Sequence, residues 1–129
     1  MINVNLELSE RLLDLTSKQR SLRAPRLLGE IVDLHQGEVL LLDNTEILFS
    51  TELQQDPLRL LQGLSRNHAV IASWNGEMVD ENLVYAVPGH SEYRRYHRPQ
   101  AIVIPLVNAQ SSTEHGLVGL QKAGKETSA

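Results

Sequence analysis

The feature that most constrains this chain is a short apolar run, Val39 to Leu42, that ends abruptly on Asp43 and Asn44. Successive strand residues point to opposite faces, so an unbroken apolar run puts apolar groups on both sides of a sheet. That is the habit of a parallel strand covered by helices on each face. A second run, in "HAVIASWNG", repeats the pattern and ends in Ser73, Trp74, Asn75 and a Gly76 turn. Between the two, "STELQQDPLRLLQGLSRN" offers Asp56 as an N-cap and Pro57 at the first helical position, with Leu58, Leu61 and Leu64 facing inward. Upstream, Pro25 suits the first turn of another helix, in which Leu27, Leu28, Ile31, Val32 and His35 recur at helical spacing until Gln36-Gly37 stops it. Strands alternating with helices predict an α/β domain with a mostly parallel sheet.

The flanks read less sharply. Ile2, Val4, Leu6 and Leu8 alternate with polar residues, the period of a half-buried strand, and Ser9 then caps a short helix through about Lys18. Beyond Gly76 the pattern predicts a strand from Leu83 to Val87, a polar loop "PGHSEYRRYHRPQ", and a last apolar strand from Ala101 to Leu106. From Asn108 the chain is Ser, Thr, Gly, Lys and Ala with little to bury, which predicts one domain over residues 1–107 and a flexible tail over 108–129.

Composition narrows the function classes. A formal charge of −4 argues against a general nucleic-acid-coating protein and leaves room for a local basic patch. The absence of cysteine removes disulfides, thiolate zinc sites, iron–sulfur clusters and cysteine nucleophiles. The N-terminus has no basic region followed by an apolar one, and no apolar run approaches the ~20 residues that span a bilayer. The expectation is a soluble cytoplasmic protein without membrane contact. The five histidines lack H-x-x-x-H spacing, so no metal site built on them is expected.

Ligands of open α/β sheets sit at the carboxyl ends of the strands, where Asp43 and Asn75 fall. A carboxylate on such an end is a hard oxygen ligand suited to Mg²⁺ shared with water and phosphate. Asn44 can position water but cannot take its proton, and Glu46 is the nearest alternative base. Equally, Asp43-Asn44 and Asn75-Gly76 are turn formers, and a turn accounts for both. Arg66, at the end of a helix, either reaches a phosphate or complements the helix C-terminus. In "YRRYHR", Arg94, Arg95 and Arg98 stand among two tyrosines and His97, chemistry that fits phosphates and bases, or else a solvated surface loop.

A phosphate-binding loop, G-x-x-x-x-G-K-[ST] between a strand and a helix, does not precede "VLLLDN". The tail segment "GLQKAGKET" matches as far as Lys125 and then has Glu126 where the hydroxyl residue belongs, with no apolar strand leading into it. The blocks "NVNLELSERLLDLT", "RAPRLLGEIV", "VLLLDNTEILF", "DPLRLLQGLSRNHAVIASWNG" and "YAVPGHSEYRRY" together resemble the BrxF family, the small P-loop proteins of type 3 BREX bacteriophage-exclusion systems. The resemblance spans about Asn3 to Tyr96 and implies a P-loop NTPase-like core of the ASCE/AAA-like kind. Val39 to Asn44 would be its Walker B strand, with Asp43 on magnesium and Asn75 as the polar sensor. It implies an antiviral ATPase that uses Mg²⁺ and ATP beside other BREX proteins. DNA contact through Arg94, Arg95 and Arg98, and an oligomer, are further expectations.

Family members carry a first strand, a Walker A loop and its helix ahead of "NVNLEL", where this sequence begins. In the sheet order usual for that class the first strand lies between the strand ending at Asn75 and the last strand. Its absence predicts a slot of unpaired backbone groups. Either a start codon assigned too late or a truncated form that closes the gap or pairs with another chain would explain it, and the first is favoured. The chain alone is expected to hydrolyse little or no ATP, with ATP and Mg²⁺ binding only if the phosphate loop is supplied. In that ATPase, Asn44 or Glu46 would orient water, while Arg66 or the Arg94-Arg95 pair would meet phosphate in cis or across a subunit contact. The alternative is a non-catalytic interaction subunit that contacts a partner protein or DNA through Tyr93 to Arg98.

Overall fold

The computed structural model describes residues 1–35, 37–107 and 114–120. The first strand is only β1, Ile2–Asn3, and the chain then turns into helix α1, Val4–Leu12. The segment expected to be a strand satisfies two periods at once. Val4, Leu8 and Leu12 are buried at a spacing of four, whereas Leu6, required by the alternating pattern, is 54% exposed. The Asn3 side chain decides the matter locally by accepting a bond from the Leu6 N–H at 3.0 Å, an N-cap for the first turn.

Helix α2, Ser17–Leu34, starts eight residues before Pro25, which therefore lies inside the helix and not in its first turn. Thr16 and Gln19 form a reciprocal capping box that sets the true start. A proline has no N–H to give, so the Ser21 carbonyl four residues back loses its helical donor. Gln55 Nε2 replaces it at 2.7 Å. Ser17 and Arg20 also reach Glu52 at 3.0 and 3.2 Å, and the Ser17 hydroxyl, then the guanidinium, hold its carboxyl below the ordinary range.

Strand β2, Val39–Asp43, leads through two single-turn 3-10 segments, Glu46–Phe49 and Thr51–Leu53, into α3, Pro57–Leu64. Asp56 caps α3 through Arg59 N–H, as the sequence predicts. Strand β3, Ala69–Trp74, follows, and β1, β2 and β3 run parallel with Asn3 opposite Asp43 and Leu42 opposite Ala72.

Past β3 the chain builds a second sheet from β4, Gly76–Val79, β5, Asn82–Tyr85, and β6, Arg94–His97, all antiparallel. Asp80 and Glu81 at φ 49° and 68° make the two-residue hairpin loop whose backbone matches strand twist. Aromatic edges weld this sheet to the first: Trp74 lies 5.1 Å from Phe49 and 5.9 Å from Tyr96, and Trp74 Nε1 donates to the Val84 carbonyl at 3.1 Å. Gly76 is required there because a Cβ would overlap the Val84 carbonyl oxygen.

Strands β7, Ile102–Val107, and β8, Glu114–Leu120, complete a five-stranded sheet in the order β1-β2-β3-β8-β7. Pro105 is tolerated because β7 is an edge strand. Part of the expected tail is therefore sheet: β8 pairs antiparallel with both β3 and β7, and Val118 is fully buried. The rest of the expected tail, residues 108–113 and 121–129, lies outside the described residues. The position between β3 and the last strand, expected to stand open, is held by β8.

The fold of the described residues is thus mixed α/β, with a partly parallel five-stranded sheet and three helices. Leu40, Leu42, Val70, Ala72, Trp74 and Val118 form one core with residues of all three helices. The helices cover one face, not both as the apolar runs predict, since Val39 and Leu41 alternate with the core residues and are 50% and 42% exposed. Among the described residues no helix is long and apolar enough to cross a membrane.

Candidate site at the carboxyl ends of the parallel strands

Asp43 is the last residue of β2 and is half-buried. Its Oδ1 accepts the Asn44 N–H at 2.9 Å, and Asn44 takes a left-handed conformation at φ 50°, which asparagine adopts more readily than most residues. The turn is tied on both sides. Asn5 N–H donates to the Asn44 carbonyl at 2.9 Å, and buried Thr45 donates its hydroxyl to the Ser73 carbonyl at 2.9 Å. The turn reading of Asp43-Asn44 is therefore realised, and it presents the carboxylate at the end of a rigid strand. Thr45 escaped the sequence reading, since nothing in its local pattern reveals a partner on a strand twenty-eight residues on.

Glu46 is exposed at the start of the first 3-10 segment, and Asn75 is exposed between β3 and β4. Phe49, at the end of the first 3-10 segment, stacks on Tyr85 with ring centroids 3.5 Å apart, which sets the end of β5 beside the turn after β2, and burial, then the charges of Glu92 and Glu46, push the Tyr85 hydroxyl above its usual range. Asp43, Asn44, Glu46 and Asn75 accordingly share one end of the sheet. Arg66 does not join them. It lies just past α3 and three residues ahead of β3, hence at the amino end of a strand of six residues, roughly 20 Å from the carboxyl end.

"YRRYHR" is mostly strand β6, and its arginines have separate tasks. Arg94 Nη2 donates to the Gln55 carbonyl at 2.7 Å. Arg95, one residue on, is exposed and pairs in register with Val84. Arg98, at φ 45°, holds Glu81 at 2.9 Å. The Tyr96 hydroxyl donates to Asp56 Oδ1 at 2.7 Å, and burial followed by that bond raises its ionisation well above the ordinary tyrosine range. Asp56 thus caps α3 and anchors β6 with the same oxygen. Of the three arginines in this segment, Arg95 is the one whose side chain is turned outward without a bond among the described residues.

Asp43 alone suits Mg²⁺ only when phosphate supplies the remaining negative oxygens. Among the described residues no group of three or more His, Asp or Glu converges on a metal position. A phosphate cradle needs a strand whose carboxyl end opens into a helix N-terminus. Beside β3 the sheet instead offers β8, whose amino end lies at this side because Trp74 pairs with Gly116. On the other side of β2, β1 does open into α1 beside Asp43, but the Asn5 and Leu6 N–H groups of that helix end are taken by the Asn44 carbonyl and the Asn3 side chain, so the described residues offer a lone Mg²⁺ ligand and no open phosphate cradle. Comparison with protein-family models, curated proteins and solved structures gives no match for this chain.

Proposed function

We propose that this chain is a component of a BREX-type bacteriophage-exclusion system, P-loop NTPase-like in descent, that works as a non-hydrolysing interaction subunit. The sequence blocks from Asn3 to Tyr96 support the system, and the antiparallel β8 beside β3 carries the loss of hydrolysis. Other proteins of the same system are its partners. Its contact surface is the outer side of the small sheet, where exposed Arg95, and the ring nitrogen of exposed His97 that Asn82 does not hold, face a partner protein or DNA.

A second reading keeps Asp43 as the Mg²⁺ ligand of an ATPase whose phosphate loop comes from outside the described residues. The observation in its favour is that Asp43 and Asn75 share the carboxyl end of the sheet. Phage challenge of cells carrying the system separates the two. The interaction reading expects Arg95→Ala with His97→Ala to lose protection and Asp43→Ala to keep it. Loss of protection by Asp43→Ala, or Mg²⁺-dependent ATP hydrolysis by the purified chain that Asp43→Ala abolishes, overturns it.

A further inference from the structure

Strand β6 forms an edge of the small sheet whose outward backbone groups have no partner among the described residues. Just past it, the Arg98 N–H donates to the Glu81 carbonyl at 2.8 Å, in the register that sets Asn82 opposite His97. Bonded pairs alternate along antiparallel strands, so Tyr96 and Arg94 also turn their backbone groups toward β5, and Arg95 and His97 turn theirs away. Among the described residues, β5 is the one strand paired with β6, and no loop bonds to the Arg95 or His97 backbone. The opposite edge strand of this sheet, β4, lies against β8. From behind, β6 is held in place by the bonds of Arg94 to Gln55 and of Tyr96 to Asp56. The side chains beside the open edge are basic: Arg95 has no partner among the described residues, and His97 is held through Nδ1 by Asn82 at 3.0 Å.

We infer that β6 takes up an extended acidic segment of a partner protein as a fourth strand, an inference that rests on the interaction reading above. Backbone bonds to Arg95 and His97 supply the attachment. Carboxylates two residues apart in the segment, opposite Arg95 and His97 on the outer face, supply the selection. A second copy of the chain fits poorly, because pairing β6 with itself sets arginine against arginine or histidine along an edge. DNA fits poorly as well. Between Gly76 and Arg98 stand Glu77, Asp80, Glu81 and Glu92 against three arginines. Gln55 holds Arg94 and Glu81 holds Arg98, which leaves Arg95 alone where a phosphate backbone is gripped by several cations.

The probe is an end-blocked peptide of about eight residues in which glutamate alternates with threonine, added at millimolar concentration to the purified chain. Amide hydrogen exchange, followed residue by residue by NMR, reads the outcome. Exchange at Arg95 and His97 is expected to slow at least about threefold, while Arg94 and Tyr96, already bonded to β5, stay as they were. N-methylating the peptide amides that face β6 abolishes the effect, as does lysine in place of glutamate, and Arg95→Glu at this exposed position exchanges the two preferences. Unchanged exchange at both amides overturns the inference. So does equal protection by the lysine peptide, or protection by a DNA duplex of about 20 base pairs that the acidic peptide does not give. If Arg95→Ala with His97→Ala loses phage protection while the peptide leaves exchange unchanged, strand addition is refuted and the interaction reading stands. Slowed exchange beside intact phage protection in those variants does the reverse.

Discussion

Truncating Val118 to alanine removes two methyl groups from a side chain that is 0% exposed, opposite Ala72 of β3 and Val103 of β7. Each buried methyl group is worth about 0.8 kcal/mol in transfer alone, so about 1.6 kcal/mol is lost before any cavity is counted. Strands on both sides keep the site from collapsing, and the residual void raises the expected cost to about 2–3 kcal/mol. With a urea m-value of about 1.3 kcal/mol/M for a domain of this size, the midpoint should fall by about 2 M. Trp74 is the natural reporter. It is the sole tryptophan, it is 2% exposed, and it pairs with Gly116 of β8 itself. A loss below about 0.5 kcal/mol at unchanged m-value, the level of an ordinary surface substitution, would refute the placement of β8. Residue 118 would then belong to a solvated tail, and the slot beside β3 would be open after all.

Three further perturbations test how the two sheets and the helices are joined. Gly76→Ala drives a methyl group into the Val84 carbonyl, a backbone atom that cannot rotate aside, so a loss of about 3 kcal/mol and a red-shifted Trp74 emission are expected. Gln55→Ala leaves the Ser21 carbonyl without a donor and should cost about 1–2 kcal/mol by urea denaturation. In a Pro25→Ala background, where residue 25 regains its N–H, the same change should cost markedly less, as a double-mutant cycle would read. The Tyr96 hydroxyl ionises higher in the folded chain than in the unfolded one. Its contribution is therefore complete below the ordinary tyrosine value of about 10 and is lost as pH rises beyond it. Tyr96→Phe should lower stability at neutral pH by about 1 kcal/mol yet move the alkaline unfolding midpoint upward, as followed by circular dichroism.

What was legible in the sequence rested on local causes. The runs at Val39 and Ala69 needed only their own apolar content to declare strands, and Asp56-Pro57 announced the α3 start with residues that act on their neighbours. Asp43 was placed at the carboxyl end of the sheet because strand direction follows from the helix between β2 and β3. Pro25 misled because its tolerance inside α2 depends on Gln55, thirty residues away in sequence. "YRRYHR" misled in another way. Its charges suggested a solvated loop, yet Arg94 and Tyr96 turn inward to Gln55 and Asp56 while Arg95 and His97 turn outward, the period of a strand hidden under basic residues.

Strand β8 is the extreme case. "EHGLVGL" holds two glycines and few apolar residues, so local propensity argues against a strand. A central position changes the balance, since neighbours on both sides supply hydrogen-bond ladders and bury Val118 and Leu120. None of that is visible until β3 and β7 exist. The direction of β8 then carries more than stability. A parallel strand in that slot would end beside Asp43 and Asn75, where a helix N-terminus could meet an anion. The antiparallel β8 ends at the opposite side, and the α1 N-terminus that does lie beside Asp43 directs its Asn5 and Leu6 N–H groups to Asn44 and Asn3. Among the described residues, the polarity of β8 and the capped N-terminus of α1, and not the identity of the acid at residue 43, set the surroundings of that carboxylate.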